Sequence, residues 1–115
     1  MSSKDRLFVP LSTKWFNEYK RGRKKAELRT LGHQYNVNNV VKGRRVELRR
    51  GYSTKESLWG TITSVWTIRS IAQLCKEELR EIIPDESQSN REWLESYEEK
   101  NNYTGFIVFR IKLDG

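Results

Sequence analysis

The fold of this chain is constrained most by an alternating segment of eight residues near its C-terminus, from Phe106 to Leu113. One alternate set is wholly apolar and consists of Ile107, Phe109, Ile111 and Leu113. The other set consists of Phe106, Val108, Arg110 and Lys112. Because successive side chains of a strand point to opposite faces of a sheet, this period predicts a terminal β-strand.

Two earlier segments alternate in the same way. Near the N-terminus, Leu7, Val9 and Leu11 indicate a first strand, and Pro10 indicates that this strand is short or lies at a sheet edge. A second strand is predicted from Lys24 to Thr30. Its period places Lys25, Glu27 and Arg29 on one face and Lys24, Ala26 and Leu28 on the other.

Two more strands are predicted in the middle of the chain. The first covers residues 44–50, with Val46 and Leu48 pointing inward. The second covers residues 58–68, where Gly60 indicates a bulge or a bend of a barrel. One face of this long strand is predicted to carry Ile62, Trp66 and Ile68.

Helices are predicted in two regions between these strands. Ser12 or Thr13 caps a first helix, whose apolar face consists of Trp15, Phe16 and Tyr19 and which Gly22 ends in a left-handed conformation. Ser70 and Gln73 form a capping box for a long helix that ends before Pro84. Its apolar positions are Ile71, Leu74, Cys75, Leu79, Ile82 and Ile83.

A shorter helix is predicted to open at Ser89 and Glu92, with an apolar stripe formed by Trp93, Leu94 and Tyr97. Residues 31–43 are rich in Gly and Asn and have no sustained period, so they are predicted to form a long loop. These elements favour an α+β fold, a small curved sheet or β-barrel of about five strands with two to three flanking helices. A chain of 115 residues without a linker predicts a single domain over residues 1–115.

The charge of the chain is divided unevenly between its halves. Residues 1–55 contain 15 Lys and Arg against 4 Asp and Glu, whereas residues 56–115 contain 7 against 11. A basic surface neutralises phosphate groups and releases their counterions, which makes nucleic acid the leading partner class. The alternative is a solvated basic face that binds no ligand.

Composition argues against several other classes of protein. Cys75 is the only cysteine, so no internal disulfide forms, and one Cys with one His cannot complete a Cys/His zinc site. We therefore expect no metal and no cofactor. No apolar run approaches the length of a membrane span or of a signal-peptide core, so no membrane association is expected. A reducing cytoplasm is the expected compartment.

A polar octet from Gly22 to Arg29 contains Glu27, the only acidic residue between Glu18 and Glu47, inside a dense cationic patch. Gly22, Lys24, Glu27 and Arg29 match the signature G-x-K-x-x-E-x-R. With a helix before the octet and a strand through it, nearly the whole chain resembles the ASCH domains, whose barrel is related to the PUA RNA-binding fold. The resemblance implies a PUA-like barrel with a cleft, lined by the signature residues, between barrel and helix.

The chemistry of the signature residues suits a nucleotide. Arg29 offers a planar fork for a phosphate or a base edge, and Lys24 supplies a more adaptable point charge. Glu27 can accept hydrogen bonds from exocyclic amines or orient the two cations. RNA is preferred over DNA because of the resemblance to an RNA-binding fold. The alternative is an ion-pair network that braces the barrel entrance.

The resemblance also implies two enzymatic alternatives. Some bacterial ASCH proteins are amidohydrolases that cleave N4-acetylcytidine with a Lys, a Thr and a Glu. Lys24 matches the Lys, but Glu27 occupies the position of the nucleophilic Thr, so Lys24 and Glu27 are the catalytic candidates if the chain is an enzyme. Other members are assigned ribonuclease activity, which His33 could support from the loop, although a lone loop histidine is more typical of a surface.

Residues outside the octet are candidates for contacts with the rest of a nucleic acid. The predicted phosphate-backbone contacts are Arg21, Arg23, Lys25, Arg44, Arg45 and Arg49. Base stacking is predicted for Trp59, Tyr52 and Tyr35, which lie in or beside basic segments. A protein partner is the remaining alternative, bound through acidic helices that carry Glu77, Glu78, Glu81, Glu95, Glu98 and Glu99.

Overall fold

Five strands form one sheet in the computed structural model, which describes residues 6–52, 56–85, 88–101 and 104–115. They are β1 (Leu7–Leu11), β2 (Ala26–Thr30), β3 (Arg45–Arg50), β4 (Ser57–Ile68) and β5 (Phe106–Leu113). The sheet has the order β1-β3-β4-β5-β2 and curls into a half-barrel. β1 pairs with β3 in parallel and the other pairs are antiparallel. The predicted α+β class and the edge position of β1 are confirmed.

Helix α1 (Thr13–Lys20) follows β1 directly and ends before β2. Ser12 is the N-cap, and its hydroxyl accepts from the backbone N–H of Trp15. Gly22 adopts φ +78°, a left-handed conformation that side chains disfavour, and so turns the chain into the octet. β2 begins only at Ala26, so Lys24 lies in the connection before the strand.

The helices after β4 differ from the prediction of one long helix followed by a shorter one. The capping box of Ser70 and Gln73 is present, but it opens only a 3-10 turn at Ile71–Gln73. Helix α2 (Lys76–Ile82) starts separately, because the Glu78 side chain accepts from the backbone N–H of Cys75 and makes a second helix start there. Helix α3 (Gln88–Asn101) is the longer one, and it begins one residue before Ser89.

Two hydrophobic clusters lie on opposite faces of the sheet. The first joins β1, β3, β4 and β5 with α1 and with the loop at residues 31–43. The second joins β2, β4 and β5 with α2 and α3. β5 serves both, because Ile107, Phe109 and Ile111 belong to the first cluster and Phe106 and Val108 to the second.

The predicted common face of Ile62, Trp66 and Ile68 is wrong. Ile62 pairs with Ile111 and Ser64 with Arg110, so Thr63 is an extra residue in β4. Because an inserted residue reverses the alternation, Ile62 joins the first cluster, whereas Trp66 and Ile68 contact the second. Gly60 lies before this bulge and has a different role.

Gly60 allows β5 to approach β4 closely. A Cβ at this position would lie 2.7 Å from Ile111 Cγ2 and 2.7 Å from the carbonyl oxygen of Lys112. Only a residue without a side chain fits there. Among the described residues, no helix is both long enough and apolar enough to span a bilayer.

Candidate functional site

A cavity of about 240 Å³ lies where the edge strands β1 and β2 face each other across the opening of the half-barrel. Pro10 and Leu11 of β1 and Leu28 and Arg29 of β2 line it, and α1 and α3 contribute aromatic side chains. The polar residues that line it are Ser12, Lys24, Glu27 and Arg29. The three charged residues of the signature therefore meet in one cavity.

Glu27 is the centre of a buried hydrogen-bonded network. Its Oε1 accepts from the hydroxyl of Tyr19 at 3.0 Å and lies 3.3 Å from Lys24 Nζ. Its Oε2 accepts from Arg29 Nε at 2.9 Å. Only 4% of Glu27 and 5% of Lys24 are exposed, so this ion pair lies outside bulk water.

Lys24 reaches this network from the connection before β2. Its Nζ donates to the carbonyl oxygen of Ile82 at 2.6 Å, and the rings of Trp15 and Tyr19 lie 5.2 and 5.4 Å away. The prediction that Lys24 and Glu27 lie on opposite faces is wrong, because strand alternation does not apply before Ala26. Lys25, which was predicted to share the face of Glu27, is exposed.

Arg29 holds the two edges of the half-barrel together. Its Nη2 donates to the carbonyl oxygen of Pro10 at 2.9 Å while its Nε binds Glu27. Its guanidinium also lies over the ring of Tyr35, 5.1 Å from the centroid. A side chain of β2 thus joins β1 at a point where no backbone ladder connects the two strands.

The surroundings shift the pKa values of these groups. Burial raises the pKa of Glu27, but the charges of Lys24 and Arg29 outweigh it and hold the pKa below its usual value. Burial lowers the pKa of Lys24 despite the opposing charge of Glu27. Burial, together with Glu27, raises the pKa of Tyr19 well above its usual value. The network therefore contains an ionised acceptor, an amine that holds its proton less tightly, and a neutral phenol.

Aromatic side chains form a wall of the cavity beside this polar floor. Trp15 and Trp93 have ring centroids 5.4 Å apart, and Trp93 stacks on Tyr97 with centroids 5.4 Å apart and planes 21° apart. The apolar stripe predicted that Trp93 only packs the helix on the sheet. In the structure Trp93 is 38% exposed and also lines the cavity. The spacing of Trp93 and Tyr97 by four residues is a sequence signal for one helix face.

The six predicted phosphate contacts come from two segments of the chain. Arg21 and Arg23 both pair with Glu18, a buried acid in α1 that no sequence pattern indicated. Lys25 is exposed beside them in the chain.

The other three lie on or beside β3. Arg44 donates to the carbonyl oxygens of Asn39 and Arg6. Arg45 binds Asp114, and Arg49 binds the buried Glu47. The predicted phosphate contacts are therefore divided between the segment that follows α1 and the segment of β3.

The three predicted stacking residues differ in accessibility. Tyr52 is 79% exposed and Trp59 is 39% exposed. Tyr35 is buried against Phe109, with centroids 6.4 Å apart, and its hydroxyl donates to the carbonyl oxygen of Phe8. The prediction that Tyr35 stacks on a base is therefore wrong, because its ring is part of the first hydrophobic cluster.

Comparison with known proteins defines the class of fold. No protein-family model matches the sequence, and no curated protein matches it either. The crystal structure of the hypothetical protein PH0355 is similar, with a TM-score of 0.72 at 18% identity over 95% of this chain and 99% of that one. The ASCH protein from Zymomonas mobilis gives 0.64 at 12% identity over 96% of this chain and 68% of that one.

A mutant of the Zymomonas protein gives a TM-score of 0.68 at 13% identity, over 94% of this chain and 69% of that one. The described sheet and helices thus have an ASCH-like fold of the PUA-like type, as the resemblance predicted. At these levels of identity the similarity concerns the fold, and the activity has to be argued from the cavity.

Proposed function

We propose that the chain binds nucleic acid, with RNA preferred, and takes a single unpaired base into the cavity between β1 and β2. The observation that carries the proposal is the combination of a charged floor with an aromatic wall in a cavity of about 240 Å³. Pockets for drug-sized ligands measure roughly 300–1,000 Å³, so this cavity suits one small heterocycle. Proteins recognise single-stranded RNA by stacking such bases on aromatic rings and by hydrogen bonds to their edges.

The hydrogen-bonding capacity that remains in the floor supports this choice of ligand. A carboxylate offers about four acceptor sites. Glu27 has three neighbouring donors, on Tyr19, Lys24 and Arg29, which leaves room for one exocyclic amine. The ammonium of Lys24 has three protons, of which two are directed at the carbonyl oxygen of Ile82 and at Glu27. The third remains for a carbonyl oxygen or a ring nitrogen of the base. A base that presents both a donor and an acceptor matches this pair.

The phosphates flanking the bound base are proposed to meet the cations that follow α1. Arg21 and Arg23 are more than half exposed in their side chains although both pair with Glu18. Lys25 is exposed as well. Contacts of this kind position a strand without reading its sequence and make affinity fall with salt. Cys75 is an exposed free thiol, and we propose the reducing cytoplasm as the compartment.

Hydrolysis of an acylated cytidine is a second candidate, and the lowered pKa of Lys24 favours it, since an amine with this property can act as a general base. Glu27 is poorly suited to replace a nucleophilic Thr, because three donors engage its carboxylate. His33 is exposed in the loop and does not line the cavity, which weakens the ribonuclease alternative.

Titration of the protein with mononucleotides, followed by tryptophan fluorescence, tests the proposed base site. Trp93→Ala removes a wall of the cavity, and Val37→Ala, at an exposed apolar residue of the loop at residues 31–43, is the control. Loss of one stacking ring is expected to weaken binding by roughly 5- to 150-fold. Equal affinities of Trp93→Ala and wild type for every mononucleotide would contradict the proposal.

A parallel incubation with N4-acetylcytidine separates binding from hydrolysis. Binding without turnover supports recognition alone. Turnover that stops in Lys24→Met, while circular dichroism shows a folded protein, would establish the amidohydrolase instead.

A further inference from the structure

The outward face of strands β1, β3 and β4 carries a row of side chains that the cavity does not use. Phe8 is paired with Glu47 and Glu47 with Trp59, so these residues lie side by side across three strands. Arg45 and Arg49 lie two residues on either side of Glu47 in β3. Strands are spaced about 4.8 Å apart and rise about 3.3 Å per residue. The backbones of Phe8 and Trp59 are therefore roughly 10 Å apart, with an arginine about 7 Å to each side of the row.

Aromatic rings and arginines pack together on this face. Arg49 lies over the ring of Phe8 at 4.9 Å, and Arg45 lies near the ring of Trp59 at 6.0 Å. Tyr52, in the turn after β3, has its ring 6.2 Å from that of Phe8. Two of these rings, Tyr52 and Trp59, are among the exposed large apolar side chains of the described residues. Exposed rings interleaved with arginines are typical of surfaces that bind single-stranded nucleic acid.

Glu47 organises the arginines from beneath. Its carboxylate accepts from Arg6 Nε at 2.6 Å, from Arg49 Nη2 at 2.6 Å and from the hydroxyl of Ser57 at 2.7 Å. The carboxylate side chain is 5% exposed, whereas the side chains of Arg6 and Arg49 are 27% and 29% exposed. The acid is thus covered, and the arginine side chains are partly exposed.

The arginine atoms that stay available favour a phosphate ligand. Arg49 directs Nε and Nη2 at Glu47, and in the part of the chain that the structure describes its Nη1 has no acceptor. Both Nη atoms of Arg45 donate to the carboxylate of Asp114, which is itself half-exposed, and Nη1 also donates to the hydroxyl of Thr61, so among the described residues only its Nε has no acceptor. A guanidinium fixed on a carboxylate and an aromatic ring loses little side-chain freedom when it binds a phosphate oxygen.

We infer that this face, formed by Phe8, Tyr52, Trp59, Arg45 and Arg49, is a second contact surface, on which two or more consecutive bases of a single strand stack while the arginines bind the intervening phosphates. The inference rests on nucleic acid being the ligand, as proposed above. Pro10 connects the two surfaces, since it lines the cavity and follows Phe8 by two residues in β1. A strand with one base in the cavity can therefore continue over Pro10 onto this face.

Comparison of a short and a long ligand tests the second surface. The probes are a mononucleotide and a fluorescently labelled single-stranded RNA of about ten nucleotides, each titrated at two salt concentrations. The variants are Trp59→Ala and Tyr52→Ala, with Val37→Ala as an exposed apolar control in the loop at residues 31–43. Arg49→Gln is paired with Arg80→Gln, an exposed arginine of α2, as a control for loss of one charge.

The expected result is that Trp59→Ala and Tyr52→Ala each weaken binding of the RNA by roughly 5- to 150-fold and leave mononucleotide binding unchanged. Arg49→Gln is expected to reduce the salt dependence of RNA binding, and Arg80→Gln to leave it unchanged. The matched controls exclude a general loss of charge or apolar surface as the cause.

Four outcomes can be told apart. RNA binding that is weakened by Trp93→Ala but not by Trp59→Ala or Tyr52→Ala overturns the second surface and leaves the base site standing. RNA binding that depends on Trp59 and Tyr52 but not on Trp93 supports the surface and overturns the base site. Dependence on both supports both. No binding of either probe by the wild type overturns both.

Discussion

Replacement of Glu27 by Gln tests whether the floor of the cavity contains a true buried ion pair. Gln has nearly the same shape and can still accept from Arg29, but it cannot neutralise Lys24. Since Lys24 is 5% exposed, its ammonium would keep only the carbonyl oxygen of Ile82 as a strong partner. Removing one member of a buried pair costs about 3–5 kcal/mol. The whole free energy of unfolding of a domain is roughly 5–15 kcal/mol, so the variant should be marginally stable.

The free energy of unfolding of Glu27→Gln should depend on pH, and the sign of this dependence follows from the pKa of Lys24. Without Glu27, burial lowers the pKa of Lys24 further, because the charge that opposed it is gone. The unfolded chain, with a lysine pKa of about 10.4, then binds more protons than the folded one. The free energy of unfolding should therefore rise with pH, by at most about 1.4 kcal/mol per pH unit, between the lowered pKa and about pH 10. In the wild type, Glu27 opposes this shift and the slope is smaller.

Urea denaturation followed by tryptophan fluorescence measures both quantities, at about pH 6.5 and about pH 9. Trp15 is a local probe, since its ring lies 5.2 Å from Lys24 Nζ. The double variant Lys24→Met/Glu27→Gln is the control and should recover most of the stability, because it removes both charges. If the free energy of unfolding of Glu27→Gln lies within about 1 kcal/mol of the wild-type value and changes with pH in the same way, Lys24 and Glu27 are not a buried ion pair.

Two further predictions concern the sheet. Burial raises the pKa of Glu47, but hydrogen bonds from Arg6, Ser57 and Arg49 outweigh it and lower the pKa to about 2. The free energy of unfolding of the wild type, measured by urea denaturation, should therefore fall by roughly 3 kcal/mol as the pH falls from about 4.5 to about 2. An equal fall in Glu47→Gln would contradict the assignment of this loss to Glu47. Gly60→Ala should lower the free energy of unfolding by about 1–3 kcal/mol, seen as a lower denaturation midpoint, because the new Cβ meets a backbone carbonyl of β5. Gly32→Ala is the control and should have no effect, because a Cβ at Gly32 would lie in open space.

The elements that follow a simple period were predictable from the sequence. The alternation of β1, β3 and β5 and the cap at Ser12 each depend on interactions within a few residues, so the local pattern determines them. The bulge at Thr63 has no such signal, because it depends on how β4 pairs with β5, far along the chain. The interruption of the predicted long helix before Cys75 was missed, because its apolar residues keep one helical period although two capping boxes, at Ser70 and at Cys75, lie within it.

The candidate site was predictable in part. The signature indicated Lys24, Glu27 and Arg29, and the structure brings all three into one cavity. The aromatic wall was not predicted, since Trp15 and Trp93 come from helices far apart in the sequence and an apolar stripe has the same pattern whether it packs a core or lines a pocket. The burial of Tyr35 likewise depends on how the loop folds over β5.

The pairing of β2 with β5 has a consequence for how this chain folds. Glu27 lies opposite Phe109, so, within the described part of the chain, the strand that carries the floor of the cavity pairs only with a strand roughly 80 residues later. Long-range pairings of this kind form late and slow the folding of a chain. During synthesis, β2 must wait for β5 to leave the ribosome before it can pair. The cavity is therefore completed only after β1, β3 and β4 have had the opportunity to assemble.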